Sequence, residues 1–168
     1  MSDKSSKRVF RVQLEKDTMV FSAAHFITFN GNVCESIHGH NYAVKAEVVG
    51  PLDENGYVCD FIALRDGLAE IVATMDHKVV LPATHPMIKV VDDGKEVLVT
   101  FEQKRWIFPN EDCNILPVAN TTAELMAGYI GDELRLRTKE KFGDQITKLI
   151  VGVDENRGQW GVVELDWQ

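Results

Sequence analysis

The sequence predicts one α+β domain over residues 1–168, in which two helices cover one face of an antiparallel four-stranded sheet. Three patterns predict it: alternating segments near the start, two longer segments with helical spacing, and alternating segments again at the end. With 168 residues, 45% of them hydrophobic and 26% charged, the chain has the length and composition of a globular domain with a single core.

The first half of the sheet is predicted from stretches in which apolar and polar residues alternate, the period of a half-buried strand. Residues 9–16 form the first strand, residues 19–26 continue it or pair with it, and residues 41–49 form the second clear strand. The Asn-Gly-Asn sequence at residues 30–32 predicts a turn before that second strand.

Two helices are predicted from apolar residues spaced three and four apart. The first covers residues 60–75, with Asp60 as its N-cap. The second runs to about residue 141 and starts where Thr121 and Glu124 have the spacing of a capping box. The apolar positions of the first helix are Phe61, Leu64, Leu68, Ile71, Val72 and Met75.

An inserted hairpin and a closing strand pair complete the predicted fold. The hairpin joins residues 88–91 to residues 97–101 through an Asp-Asp-Gly turn. The closing strands are residues 146–154 and 160–166, joined by a turn over residues 156–158. Because both helices lie on one face of the sheet, we expect another subunit to cover the other face.

Charge and hydropathy exclude several classes of function. The formal net charge of -8 argues against a protein that coats nucleic acid, because phosphate binding needs a basic surface. No apolar run approaches the roughly 20 residues that span a bilayer, and the polar start of the chain lacks the apolar stretch of a secretory signal. We therefore expect a cytoplasmic protein whose cysteines, Cys34, Cys59 and Cys113, are reduced thiols.

A candidate metal site is predicted at His38-Gly39-His40. Residues two apart on a strand point the same way, so these two histidines can present their imidazoles to one ion. His25, on the preceding strand, supplies a third imidazole and leaves one coordination position open, which is typical of a catalytic zinc site. Taken alone, a His-x-His pair on a strand is equally compatible with a surface pair or a buried, hydrogen-bonded pair.

Short motifs in a fixed order run along nearly the whole chain. They are Phe21-Ser22-Ala23-Ala24-His25, Cys34, His38-Gly39-His40-Asn41-Tyr42, residues 58–64 around Asp60-Phe61, Met75-Asp76-His77-Lys78, Thr122, Glu124 and Glu155. Together they resemble the motifs of the 6-pyruvoyltetrahydropterin synthase and 6-carboxytetrahydropterin synthase family. The resemblance implies the tunnelling fold, in which subunits join their sheets into a barrel, commonly as a hexamer of two trimers with active sites between subunits.

The resemblance also implies roles for the matching residues. His25, His38 and His40 would bind Zn²⁺, and Cys34 would accept and return a proton as a thiolate. A lone cysteine such as Cys34 is otherwise typical of a packed core. Asp76 followed by a histidine implies a second acid/base unit, although the same pair is also compatible with a simple helix end.

The substrate implied by the resemblance is a small dihydropterin. Glu155 would accept the paired N–H groups of its pyrimidinone edge, unless it is only a turn acid beside Arg157. Thr122 and Glu124 would line the pocket, although Thr121 and Glu124 are also explained by a helix start.

The choice of reaction depends on residues before His38. Cys34 stands four residues before it, as in family members that make 6-carboxytetrahydropterin. Glu35 stands three residues before it, as in the branch that cleaves dihydroneopterin to 6-hydroxymethyldihydropterin, unless it is a solvated loop residue. A third candidate reaction for the same site is the elimination of triphosphate, which gives 6-pyruvoyltetrahydropterin.

Two departures from the family pattern affect the expected specificity. Residues 83–118 form a longer insertion than is usual, and Asn156 follows Glu155 where a threonine is more common. The leading expectation is a zinc-dependent lyase that converts 7,8-dihydroneopterin triphosphate to 6-carboxytetrahydropterin for queuosine synthesis. The non-catalytic alternative is a metal-binding or pterin-binding protein of the same fold.

Overall fold

Eleven strands and two α-helices form the described part of the computed structural model, residues 8–31 and 33–168. Most of the polar start, residues 1–7, and Asn32 of the predicted turn lie outside these ranges. In chain order the elements are β1 (Phe10–His25), β2 (Thr28–Phe29), β3 (Val33–Cys34), β4 (His38–Gly50), α1 (Phe61–Met75), β5 (Lys78–Pro82), β6 (Lys89–Asp92), β7 (Glu96–Phe101), β8 (Lys104–Pro109), a 3-10 turn (Asn110–Asp112), β9 (Cys113–Leu116), α2 (Ala123–Phe142), β10 (Lys148–Asp154) and β11 (Trp160–Asp166).

The main sheet is mixed and has six strands in the order β11-β10-β4-β1-β5-β9. The α+β class is thus confirmed, and the four predicted antiparallel strands form one side of the sheet, from β11 to β1. The prediction of a sheet with only four antiparallel strands was wrong, because β5 and β9 extend the sheet as parallel strands. Both are short and apolar rather than alternating, which is typical of parallel strands and hides them from a period-two search.

Strands β1 and β4 carry the metal-site candidates at their paired ends. The two predicted segments at residues 9–26 are one strand, β1, with an irregularity in register between Glu15 and Val20. His25 is opposite His38 in the register, and Ala23 is opposite His40. Because side chains two apart share a face, the three histidines continue the apolar face of the sheet that packs against the helices.

Both helices begin close to where the sequence predicts. Asp60 caps α1 by accepting a hydrogen bond from Ile62 N. At α2 the predicted cap was wrong: the hydroxyl of Thr122, not that of Thr121, accepts from Leu125 N. Thr121 is buried instead, and its hydroxyl donates a hydrogen bond to the Phe26 carbonyl rather than capping the helix. Neither helix combines the length and apolar character that crossing a membrane requires.

The insertion at residues 83–118 contains a separate antiparallel sheet of three strands, in the order β6-β7-β8. The predicted hairpin is its first half, with Gly94 at a φ of 85° in the turn. The prediction of a hairpin alone was wrong, because β8 adds a third strand. The Lys-Arg-Trp-Ile-Phe-Pro sequence of β8 is mostly exposed and gives no clear strand signal. This sheet closes a second apolar cluster together with Phe26 and Cys34.

Substituting Gly161 tests the contact between β11 and the start of α2. A Cβ atom there would lie 2.5 Å from the backbone of Ala123 and Glu124, so Gly161→Ala should lower the free energy of unfolding by about 1–3 kcal/mol. Gly128→Ala, in open space on α2, is the matched control and should raise it by roughly 0.5–1 kcal/mol. Urea denaturation measures both, and equal stability of the two variants would contradict this packing.

Candidate metal centre and active site

Three imidazoles converge at the end of the β1–β4 pair. One ring nitrogen of His25, His38 and His40 lies within 4.8 Å of the corresponding nitrogen in each of the other two. The ring centroids are 4.7 Å apart for His25 and His38, 4.9 Å for His38 and His40, and 5.4 Å for His25 and His40. The structure thus brings the predicted ligands together.

Backbone carbonyl groups orient two of the three rings. The Nδ1 atom of His25 lies 2.9 Å from the carbonyl oxygen of Thr121, and that of His38 lies 2.9 Å from the carbonyl oxygen of Ser36. A carbonyl only accepts, so Nδ1 carries the proton in both rings and donates it. The Nε2 lone pair of each ring is therefore available to a metal ion.

The polar atoms at the centre of the cluster fit a cation. The Nε2 atoms of His25 and His40 are buried without a hydrogen-bond partner, which is unfavourable unless a ligand satisfies them. Burial lowers the pKa of His25 from 6.5 to about 4; the Thr121 carbonyl opposes this shift and the two other rings add to it. A neutral, buried imidazole is the form that coordinates metal.

Glu155 connects the histidine cluster to a pocket. Its Oε1 atom lies 3.7 Å from Nε2 of His40. The pocket has a volume of about 410 Å³ and is open to solvent on one side. It is lined by Ile27, Thr122, Ala123, Glu124, Glu155, Gln159, Trp160 and Gly161. All three predicted substrate-binding residues therefore line one pocket beside the metal-site candidates.

A buried carboxylate that the sequence reasoning missed holds the turn carrying Glu155. Asp154, only 8% exposed, accepts hydrogen bonds from the backbone N–H groups of Gly158 and Gln159 at 2.8–3.0 Å. Glu155 N in turn donates to Gln159 O across the turn. An Asp at the end of a strand before Asn-Arg-Gly is the sequence signal that could have identified it.

Cys34 and Glu35 occupy different surroundings although they are adjacent. The Cys34 thiol is buried in the second apolar cluster and donates to the Glu35 carbonyl at 3.5 Å. Burial raises its pKa, Lys104 opposes that shift and Glu35 adds to it, so the protein groups alone favour the protonated thiol. The Glu35 carboxylate instead lies 4.0 Å from Nε2 of His38, beside the cluster.

Asp76 and His77 lie away from the histidine cluster of the same chain. Asp76 accepts a hydrogen bond from Ser22 N at 2.8 Å, and His77 N donates to Ser22 O at 2.7 Å. Ser22 is three residues before His25, or roughly 10 Å along an extended strand. The His77 side chain is 85% exposed and 3.8 Å from the Asp76 carboxylate. Within one chain the predicted acid/base pair therefore does not reach the candidate metal site.

Comparison with known proteins places this geometry in a family. The family model for 6-pyruvoyl tetrahydropterin synthase matches residues 14–165, which include all three histidines and every predicted site residue. The chain belongs to the 6-pyruvoyl tetrahydropterin synthase family. The resemblance inferred from the motifs is thus confirmed.

Individual family members support the same assignment. The chain is 34% identical over 140 residues to a Methanocaldococcus jannaschii protein provisionally named 6-carboxy-5,6,7,8-tetrahydropterin synthase, covering 83% of this chain and 85% of that protein. The structure of Plasmodium falciparum 6-pyruvoyl tetrahydropterin synthase superposes with a TM-score of 0.88 at 27% identity, covering 95% of this chain and 99% of that chain.

A variant of the Plasmodium vivax member of the family superposes equally well. It has a TM-score of 0.88 at 25% identity, covering 95% of this chain and 99% of that chain. In that variant a catalytic glutamate is replaced by cysteine. The same two residue types occur side by side at Cys34 and Glu35 here.

Proposed function

We propose that this protein is a zinc-dependent lyase that converts 7,8-dihydroneopterin triphosphate and one water molecule to 6-carboxy-5,6,7,8-tetrahydropterin, with loss of acetaldehyde and triphosphate. The observation that carries the proposal is the position of Glu155, 3.7 Å from His40 and in the wall of the pocket, because it connects a metal site to a carboxylate that suits a pterin. The name of the Methanocaldococcus relative supports the choice of product. Three imidazoles that leave a coordination position open favour zinc.

The proposed substrate binds with its pyrimidinone edge against Glu155. That edge presents adjacent N–H donors, and a carboxylate accepts two of them in a charge-assisted pair. Thr122 and Glu124 line the same pocket and would limit how the ring lies.

Proton transfer would fall to Cys34 and to the pair formed by Asp76 and His77. His25, His38 and His40 would hold a zinc ion, whose Lewis acidity would make the C–H and O–H protons of the substrate side chain more acidic. Cys34 takes one of those protons, and the Asp76–His77 pair returns or removes another. Because that pair lies away from its own chain's cluster, we further propose that it serves the site of a neighbouring subunit in a homo-oligomer, such as a hexamer of two trimers with joined sheets.

Glu35 supports a second candidate function, cleavage of the dihydroneopterin side chain to 6-hydroxymethyldihydropterin. Its carboxylate lies 4.0 Å from His38 Nε2 and is one-third exposed, whereas the Cys34 thiol is buried. A carboxylate at that position can act as general base for the same class of side-chain protons. The Plasmodium vivax relative, named as a 6-pyruvoyltetrahydropterin synthase, also has a glutamate as a catalytic residue, which supports a carboxylate as the acid/base group.

Product analysis tests the proposal directly. Purified zinc-loaded protein is incubated with 7,8-dihydroneopterin triphosphate and, separately, with 7,8-dihydroneopterin, and the pterin products are identified by mass spectrometry. The proposal expects 6-carboxytetrahydropterin from the triphosphate. 6-Hydroxymethyldihydropterin as the main product would establish the second function, and 6-pyruvoyltetrahydropterin would establish triphosphate elimination. Zinc binding without turnover of either substrate would indicate the non-catalytic alternative, a metal-binding or pterin-binding protein.

Glu155→Gln should weaken substrate binding more than it slows the chemistry. The amide keeps one acceptor, but it loses the charge and places a donor opposite a donor of the pterin, so kcat/KM should fall roughly 30- to 100-fold, mainly through KM. Glu164→Gln, an exposed carboxylate on β11, is the matched control and should change kcat/KM less than twofold, or about 0.4 kcal/mol. Steady-state kinetics with the dihydropterin would refute the role if both variants behave alike.

A further inference from the structure

The inserted sheet is attached to the loop that carries Cys34 and Glu35. This loop, residues 26–37, joins β1 to β4 and is called the active-site loop here. Trp106 of β8 stacks on Phe26 with ring centroids 4.6 Å apart and an angle of 20° between the planes. At the other side of the loop, Thr28 Oγ1 and His85 Nε2 are 2.7 Å apart.

A third contact ends at Cys34 itself. The Lys104 ammonium, at the start of β8, donates to the Cys34 carbonyl oxygen at 2.7 Å. The side chain of Cys34 faces the apolar cluster that includes Val97, Val99 and Phe101 of β7. The insertion therefore surrounds this residue with an apolar wall on the thiol side and a cation on the carbonyl side.

We propose that Lys104 is a positioning residue of the active site: its ammonium group fixes the Cys34 backbone and stabilises the Cys34 thiolate when the thiol gives up its proton. This inference rests on the proposed function, in which Cys34 transfers a proton. It assigns a role in the reaction to the insertion.

The charges around Cys34 explain why a cation is needed there. Burial and the Glu35 carboxylate both raise the pKa of the Cys34 thiol, and the Lys104 ammonium is the group that lowers it. A buried thiolate without a nearby cation would carry the full cost of desolvation next to a carboxylate. The hydrogen bond holds the ammonium at a fixed place on the backbone carbonyl of Cys34, close enough for its charge to act on the thiol of the same residue.

Alkylation of Cys34 tests the inference without requiring turnover. The zinc-loaded protein and its variants react with iodoacetamide over a range of pH, and mass spectrometry follows the peptide that contains Cys34. Lys104→Met should slow alkylation near neutral pH by roughly three- to tenfold and move the pH midpoint upward. Lys104→Arg should restore most of the rate, because it keeps the charge. Ultraviolet absorbance of the thiolate gives the same midpoint where reagent access is limiting.

Arg105→Met is the matched control. Arg105 is the next residue on β8, is exposed, and points to the other face of the strand, so its removal changes the net charge equally. The alkylation rate of this variant should stay within about twofold of the unmodified protein, because the Arg105 side chain points away from Cys34.

Four results would overturn the inference: no change in Lys104→Met, faster alkylation there, a decrease that arginine does not restore, or an equal decrease in Arg105→Met. Faster alkylation would mean that the lysine only keeps the loop closed. If instead the alkylation results hold but no dihydropterin is turned over, the proposed function fails while the stabilising contact stands.

Discussion

Replacing His25 with alanine is expected to remove the bound metal and to abolish turnover. His25 is the most buried of the three ligands, and the Thr121 carbonyl fixes its Nδ1–H, so alanine removes an oriented, buried ligand atom from the site. Loss of a group that merely orients a ligand costs about 10- to 100-fold in metal affinity, so loss of a ligand itself should exceed that range. Metal analysis after dialysis and the product assay measure the two effects.

His77→Ala is the control for this experiment. His77 is mostly exposed and contacts Ser22 rather than the cluster, so the variant should keep its metal at the level of the unmodified protein. Under the proposed function it nevertheless loses activity, because it removes a proton-transfer group. Retention of stoichiometric metal by His25→Ala, or equal loss of metal from both variants, would contradict the assignment of the three-histidine site.

The metal site could be predicted from the sequence because its geometry is local. His38 and His40 share a face of one strand by the period of two, and His25 ends the strand that pairs with it. Glu155 was harder, since its approach to His40 depends on β10 pairing with β4, which is more than one hundred residues earlier in the chain. The family motif, rather than any local pattern, identified it.

Other features of the fold left no clear local signal. β5 precedes the insertion and β9 lies near its end, and the two strands pair in parallel. Short, mostly apolar segments of this kind are equally compatible with a packed loop or helix. Thr121 and Thr122 are equally good caps in sequence, and only the burial of Thr121 against Phe26 selects the second as the cap. The distance between Asp76 and the cluster likewise follows from how α1 ends, not from motif order.

The second large effect is expected at Cys34, where substitution separates the two candidate reactions. Cys34→Ala should lower formation of 6-carboxytetrahydropterin by about 10²–10⁴-fold, the range typical of removing a general acid/base. Metal content should not change, because the thiol lies in the apolar cluster rather than among the metal-site nitrogens. Glu35→Gln should leave that product nearly unchanged and lower only 6-hydroxymethyldihydropterin, if any is made.

Cys113→Ala controls for the loss of a thiol as such. Cys113 is half-buried on β9, and its pKa is raised to about 11 by burial and by Asp112, so it should not exchange protons at neutral pH. Product profiles of the three variants, measured by mass spectrometry under one set of conditions, decide between the residues. If Glu35→Gln rather than Cys34→Ala stops turnover, the partly exposed carboxylate beside His38 is the acid/base group and the buried thiol is a packing residue. The cleavage reaction then replaces the synthase reaction as the function of this protein.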